Sequence, residues 1–246
     1  RLNRSPGQRF RCEHFIPILQ QNGYEITFSN IISEWDDNYF YQEGKYLIKT
    51  FIFIKTFLHR CWDVIRAPKY DCVFIYREAF MIGTTLFERG LKRSKRPIIF
   101  DFDDSIWIQD ISEGNQNLSW LKRASKTDEI ISLADLVIVG NQYLANHARN
   151  FCTNTVVVPT TIDTNYHKPT SKPTNDRICI GWTGSETTIR HFKLIIPVLK
   201  RLQEKYGDLV SFTQISNVPY NVPEIGLHTI TWTAQNEISE LQKFDI

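Results

Sequence analysis

Ala134–Phe151 reads ADLVIVGNQYLANHARNF, Thr155–Pro169 reads TVVVPTTIDTNYHKP, and Arg177–Ser185 reads RICIGWTGS. Three short runs inside this stretch, Leu136–Val139, Val156–Val158 and Ile178–Ile180, are continuous, apolar and rich in β-branched residues. Strands covered on both faces of a parallel sheet have this form. Each run gives way to a polar or glycine-containing loop, where α/β sheets place their ligands. Between the second and third runs lies TNYHKPTSKPTNDR, with two prolines and almost nothing apolar, the composition of a linker. The pattern predicts one α/β domain over 1–168, a linker over 169–176, a second α/β domain over 177–246, and a ligand site between the domains.

Strand and helix alternate outward from there. Phe10–Gln21 has a helical apolar face, kinked by Pro17 and stopped by Asn22-Gly23. Tyr24–Phe28 (YEITF) alternates as a strand, and SEWDDNYFYQEG (33–44) reads as a polar loop. Lys45–Ile65 is an aromatic-rich helix ended by Ala67-Pro68. Cys72–Tyr76 is a strand, Arg77–Leu91 a helix, Pro97–Phe102 a strand and Trp120–Ser132 a helix. In the second half, Phe192–Tyr206 is an amphipathic helix stopped by Gly207. Val210–Ile215 and Leu227–Trp232 are strands, and Gln235–Lys243 is a helix before a final FDI that starts a strand. Such alternation predicts parallel sheets.

Bulk composition narrows the class. The 246 residues are 42% hydrophobic with a net charge of +2, enough for real cores and no demand for nucleic acid as a partner. Five scattered cysteines without a CxxC fit a reducing, cytoplasmic compartment, with Cys72 and Cys179 as small hydrophobes inside strands. No signal peptide and no membrane-spanning run is evident. The opening on Arg1, the halt at FDI and a second domain of about 70 residues read as a longer protein cut at both ends.

Three places carry candidate chemistry. In FDFDDS (Phe100–Ser105), Asp101, Asp103 and Asp104 end a buried strand. Carboxylates there are costly unless paired, capped or used. An active-site carboxylate, a helix cap at Asp104 or Ser105, and a metal-binding DxD all fit the pattern. SPGQRFR (Ser5–Arg11) places Gly7 before a helix with Arg9 and Arg11 beside it, either an anion site or a turn with solvated arginines. GWTGS (Gly181–Ser185) follows a strand and precedes a helix. Thr183, Gly184 and Ser185 there suit a phosphate-binding turn or a plain connection. No histidine has metal-ligand spacing to another.

Lys45–Lys69 interleaves Leu47, Ile48, Phe51, Ile52, Phe53, Ile54, Phe57, Leu58 and Trp62 with six basic residues and one acid, Asp63. It is too polar to span a bilayer. Two readings remain: a mostly buried helix with solvated lysines, or a helix lying on an anionic membrane surface, assisted by RGLKRSKR (Arg89–Arg96).

As an ordered set, these segments resemble the group 1 (family 4) glycosyltransferases, which have the GT-B fold of two Rossmann-like domains. VVVPTTIDTNYHKP is similar to that family's "vvPNGvDt..F.P" segment, with Thr160 and Thr161 in place of Asn-Gly. ADLVIVGNQYLANHA resembles the segment just upstream, SPGQRFRCEHFIPILQQNGYEIT the first loop and helix, and IGWTGSETT the opening turn of the donor domain. The resemblance implies transfer of a sugar from a nucleotide-sugar donor to a glycan, lipid or small-molecule acceptor. It implies retention, no required metal and no cofactor beyond the nucleotide-sugar co-substrate, and a place in cell-surface polysaccharide biosynthesis. It sets Gly7 in the glycine loop, Asp103 where many members carry an active-site histidine, and Gly184 and Ser185 near the donor diphosphate; Asp104 is the second candidate carboxylate and Thr183 a further donor-side candidate. The family's E-x7-E motif would follow FDI, so the second domain is expected to be incomplete and the chain inactive alone. The rival reading is a non-catalytic two-domain module that binds a sugar or phosphate.

Overall fold

A computed structural model describes residues 6–40, 44–108, 123, 125–165, 167–170, 177–185 and 188–246. The protein is α/β, with one parallel sheet in each of two compact units, Arg1–Ile162 and Asp163–Ile246. The division falls ahead of the expected linker, of which 171–176 lie outside the described residues.

The first unit opens with α1 (Pro6–Arg11), a 3-10 turn (Glu13–Phe15) and α2 (Ile16–Gln21). The single kinked helix expected over Phe10–Gln21 is therefore two. Pro17 sits in the first turn of α2, where its missing N–H costs nothing. Gly23, at φ 85°, ends the segment as expected. Tyr24–Phe28 is no strand: no ladder partner is recorded for it, and most of its side chains are exposed. Alternation alone does not make a strand without a neighbour to receive its hydrogen bonds.

The expected polar loop after Ser33 contains α3 (Glu34–Phe40). Ser33 and Asp36 form a reciprocal cap. The Ser33 N–H donates to Asp36 Oδ2 at 2.8 Å, and the Asp36 N–H donates to Ser33 Oγ at 3.2 Å. Lys55 of α4 (Tyr46–Arg66) donates to both carboxylate oxygens of the buried Asp36, tying the two helices together.

β1 (Val73–Tyr76), β2 (Ile98–Phe102), β3 (Leu136–Val139) and β4 (Thr155–Val157) form the first sheet in that order, all parallel. Between them lie α5 (Leu86–Arg93), α6 (Lys126–Leu133) and α7 (Gln142–Ala148), the last capped by Asn141 Oδ1 on the Leu144 N–H at 3.0 Å. The helix expected from Arg77 starts only at Leu86: Arg77 itself takes a left-handed conformation, φ 61°, and residues 78–85 form no helix. Phe80, Phe87, Phe100, Phe102, Ile130, Ile131, Val137 and Val139 are fully buried at the centre of the core. Phe53 and Phe57 of α4 join it edge-on against Phe80, at 5.5 and 6.0 Å between ring centres.

In the second unit, β5 (Ile178–Gly184), β6 (Val210–Ser216) and β7 (His228–Thr231) form a parallel sheet with α8 (Ile189–Tyr206) and α9 (Glu237–Leu241). The final residues run beside β5: Asp245 N–H donates to Cys179 O at 2.8 Å, and Gly181 N–H to Ile246 O at 2.8 Å. FDI thus takes up the free edge of β5, and the Phe244 ring occupies the space a Cβ on Gly181 would need.

Two of the three diagnostic runs are less covered than their composition suggested. Val156 and Ile178 are exposed, since β4 is the last strand of its sheet and β5 has only the terminal residues on one side. Cys72 is likewise exposed, just ahead of β1.

Asp36 is held below the ordinary carboxylate range: burial opposes ionisation, and Lys55 and Ser33 more than offset it. Its stabilising contribution is present above the unfolded value, near pH 4, and is lost as pH falls through the lower folded value. Asp36→Asn is expected to cost about 2 kcal/mol at pH 7. Urea unfolding at pH 7 and pH 3 should show that cost shrinking at the lower pH.

Candidate functional site

The C-terminal edge of the first sheet is where this chain concentrates charge. Four of its strands end there, and α1 lies against them. Asp101, within β2, is buried and turned toward α1. Arg11 Nε donates to Asp101 Oδ1 at 3.0 Å, Nη2 donates to Oδ2, and Nη1 donates to the Val158 carbonyl just past β4. Burial pushes the Asp101 carboxyl up, and the Arg11 guanidinium pulls it back only in part.

Arg11 is thus neither a solvated arginine nor a cation facing solvent for an anion. Its donors are spent inside the protein, and Arg9 is buried as well. Gly7 lies inside α1 rather than in a loop; Ser5 lies outside the described residues.

Asp103 sits one residue beyond β2. Its Oδ1 accepts from the Tyr76 hydroxyl at 2.9 Å and from Arg77 Nε and Nη2 at 3.0 and 2.8 Å. Arg77 also pairs with the exposed Asp104. Burial pushes the Tyr76 phenol well up, so the hydroxyl stays protonated and donates. The Arg77 N–H donates to Asp101 O at 2.8 Å, which fixes its left-handed backbone at the strand end. Non-glycine residues in that conformation cost free energy and gather at functional sites.

Gly7 lets the backbone close on this group, and Gly140 lies at ordinary contact distance from it. A Cβ on Gly7 would lie 2.0 Å from the Tyr76 hydroxyl and 3.1 Å from Asp103 Oδ2. A Cβ on Gly140, which follows β3, would touch the Asp103 backbone at 3.5 Å. Nearby, Cys12 is no nucleophile, because burial and then the Asp101 charge push its thiol up to about 12. Trp107 stacks flat on His147 at 3.8 Å, and His147 in turn contacts Asp128 at 2.8 Å.

The three acids of FDFDDS do not gather around one point: Asp101 goes to Arg11, Asp103 and Asp104 to Arg77. Among the described residues no three His, Cys, Asp or Glu side chains group as a metal site. No helix begins at Asp104 or Ser105 among the described residues, so neither acts as the expected cap there. The sequence pointed to Gly7, Asp103 and Asp104, but not to Tyr76, Arg77 or Gly140. A strand ending in Tyr-Arg opposite a strand ending in acids was the available signal.

In the second unit, Thr183 and Gly184 end β5 and Ser185 follows. The Ser185 N–H donates to Thr188 Oγ1 at 2.8 Å, and that hydroxyl donates back to Ser185 O, closing the turn before α8. Gly184 leaves room for the Trp182 ring and Thr188. Because the terminal residues lie on one side of β5 and β6 on the other, the strand order reverses at β5. The end of such a strand is where open α/β sheets bind ligands.

No protein-family model matches the chain, and no curated protein matches it in sequence.

Gly7→Ala is expected to destabilise the protein by about 1–3 kcal/mol, through a clash that a packed site cannot absorb. Tyr76→Phe removes the oxygen being struck. The double variant should therefore lose less than the two single losses summed, as read from thermal or urea unfolding in a double-mutant cycle.

Proposed function

We propose that the chain is a glycosyltransferase of the GT-B type. In this reading it moves a sugar from a nucleotide-sugar donor to a hydroxyl-bearing acceptor, with retention at the anomeric carbon and without a required metal. The observation that carries the reading is the crowding of Asp103, Tyr76, Arg77, Gly7 and Gly140 at the C-terminal edge of a parallel sheet. Asp103 is the carboxylate that stabilises positive charge as the bond from the anomeric carbon to the diphosphate oxygen breaks, the acceptor oxygen bonds that carbon, and the acceptor's proton passes to the departing diphosphate. Tyr76 and Arg77 hold it in place, so no reorganisation is needed during reaction. Asp104 supplies a second negative charge on the solvent side. Thr183, Gly184 and Ser185, at the end of the strand where the second sheet reverses, receive the donor diphosphate. The five free cysteines suit a reducing, cytoplasmic setting, where nucleotide sugars would be met.

One observation favours the rival reading. Arg77 pairs with both Asp103 and Asp104, as expected if the carboxylates brace a site that binds a sugar or phosphate without reacting.

Release of nucleoside diphosphate from a panel of nucleotide sugars by the full-length protein tests the choice. Asp103→Asn keeps an acceptor for Tyr76 and Arg77, so its stability cost should be about 1 kcal/mol. Turnover should fall roughly a hundredfold or more. Donor binding with no turnover by the unaltered full-length protein would favour the binding module. Unchanged turnover in Asp103→Asn would remove Asp103 from the chemistry.

A further inference from the structure

α4 carries two apolar faces, and only one is used. Phe53, Phe57, Cys61 and Val64 pack on the core. Leu47, Phe51, Ile54, Leu58, Trp62 and Ile65, spaced by threes and fours, form a second stripe along the helix, each side chain 53–88% exposed. At roughly 200 Å² for a large side chain, this stripe offers on the order of 800 Å² of apolar surface, far more than scattered exposure explains. The expectation of a mostly buried helix with solvated lysines does not hold: it is the large apolar residues that stand in solvent.

The surrounding charge is one-sided. Lys45–Lys69 holds six basic residues and one acid, and Leu86–Arg96 five and one, against a net charge of +2 for the chain. The two segments touch where Gly90 of α5 meets Val64. Arg96 donates to Pro68 O at 2.7 Å, which brings the basic end of the second segment to the C-terminal end of α4. Asp36, Glu129 and Asp135 neutralise Lys55, Arg89 and Lys92, Asp63 is shared between Arg60 and Arg66, and the surplus remains positive.

We infer that α4 is the face by which this protein lies on an anionic lipid surface, the apolar stripe entering the headgroup boundary and the basic residues meeting lipid phosphates. A large apolar stripe with basic flanks is the form of an interfacial helix. No helix of the described residues is long and apolar enough to cross a membrane. A second copy seated on the same stripe would bring two like-charged surfaces together. This inference stands apart from the transferase reading and fails or holds without it.

Cosedimentation of the whole chain with vesicles tests it, using phosphatidylcholine alone or with about one third phosphatidylglycerol. The protein should bind the anionic vesicles and lose that binding at high salt. Leu58→Glu, at an exposed position, should keep the thermal midpoint and weaken binding about tenfold or more. Lys69→Gln with Lys95→Gln should weaken it roughly tenfold on anionic vesicles. Wild-type binding in Leu58→Glu, or no binding by the unaltered chain, overturns the inference. So does a dimer in sedimentation velocity that Leu58→Glu dissociates while vesicles go unbound.

Discussion

The buried pair between Arg11 and Asp101 holds the first unit's chemistry in place. Its partners are ninety residues apart, and both are almost wholly removed from water. Such a pair is worth little beyond a well-packed apolar contact, but losing one partner strands a charge at a cost of about 3–5 kcal/mol. Its importance is geometric. One guanidinium holds α1 to the second strand and, through the Val158 carbonyl, to the end of the fourth. That tether helps keep Gly7 close to Tyr76 and Asp103.

From this follows a division of labour among three acids that are nearly adjacent in sequence. Asp101 is structural, sealed under α1. Asp103 is held but not sealed, with one oxygen carrying three hydrogen bonds and the other toward Gly7. Asp104 faces solvent. The same strand end thus supplies a tether, a fixed charge and a surface charge.

The strands were legible because β3 is a continuous apolar run and β2 an apolar run broken only by Asp101, and burial leaves such runs few alternatives. Tyr24–Phe28 was misread because alternation describes a surface, not a partner. α3 was missed although Ser33 and Asp36 stand at capping-box spacing, because the window around them is polar and aromatic without a clear period. Asp103 could be singled out from its place after a strand. Its partners could not: Arg77 is 26 residues away, and its role depends on a backbone conformation no propensity favours. The two apolar faces of α4 were visible as composition, but only packing tells which of them is covered.

The two sheets differ in when they can form. In the first, each strand pairs with the one before it in sequence, so the sheet can be laid down progressively as the chain leaves the ribosome. In the second, β5 emerges early but receives its outer neighbour only from Asp245 and Ile246. Until then a strand edge stays open, with the pocket above Gly181 unfilled by Phe244. Open edges of this kind are templates for wrong pairing. The interval between synthesis of Gly184 and of Phe244 is therefore one in which this edge is exposed to misassembly, and in which a chaperone would protect it.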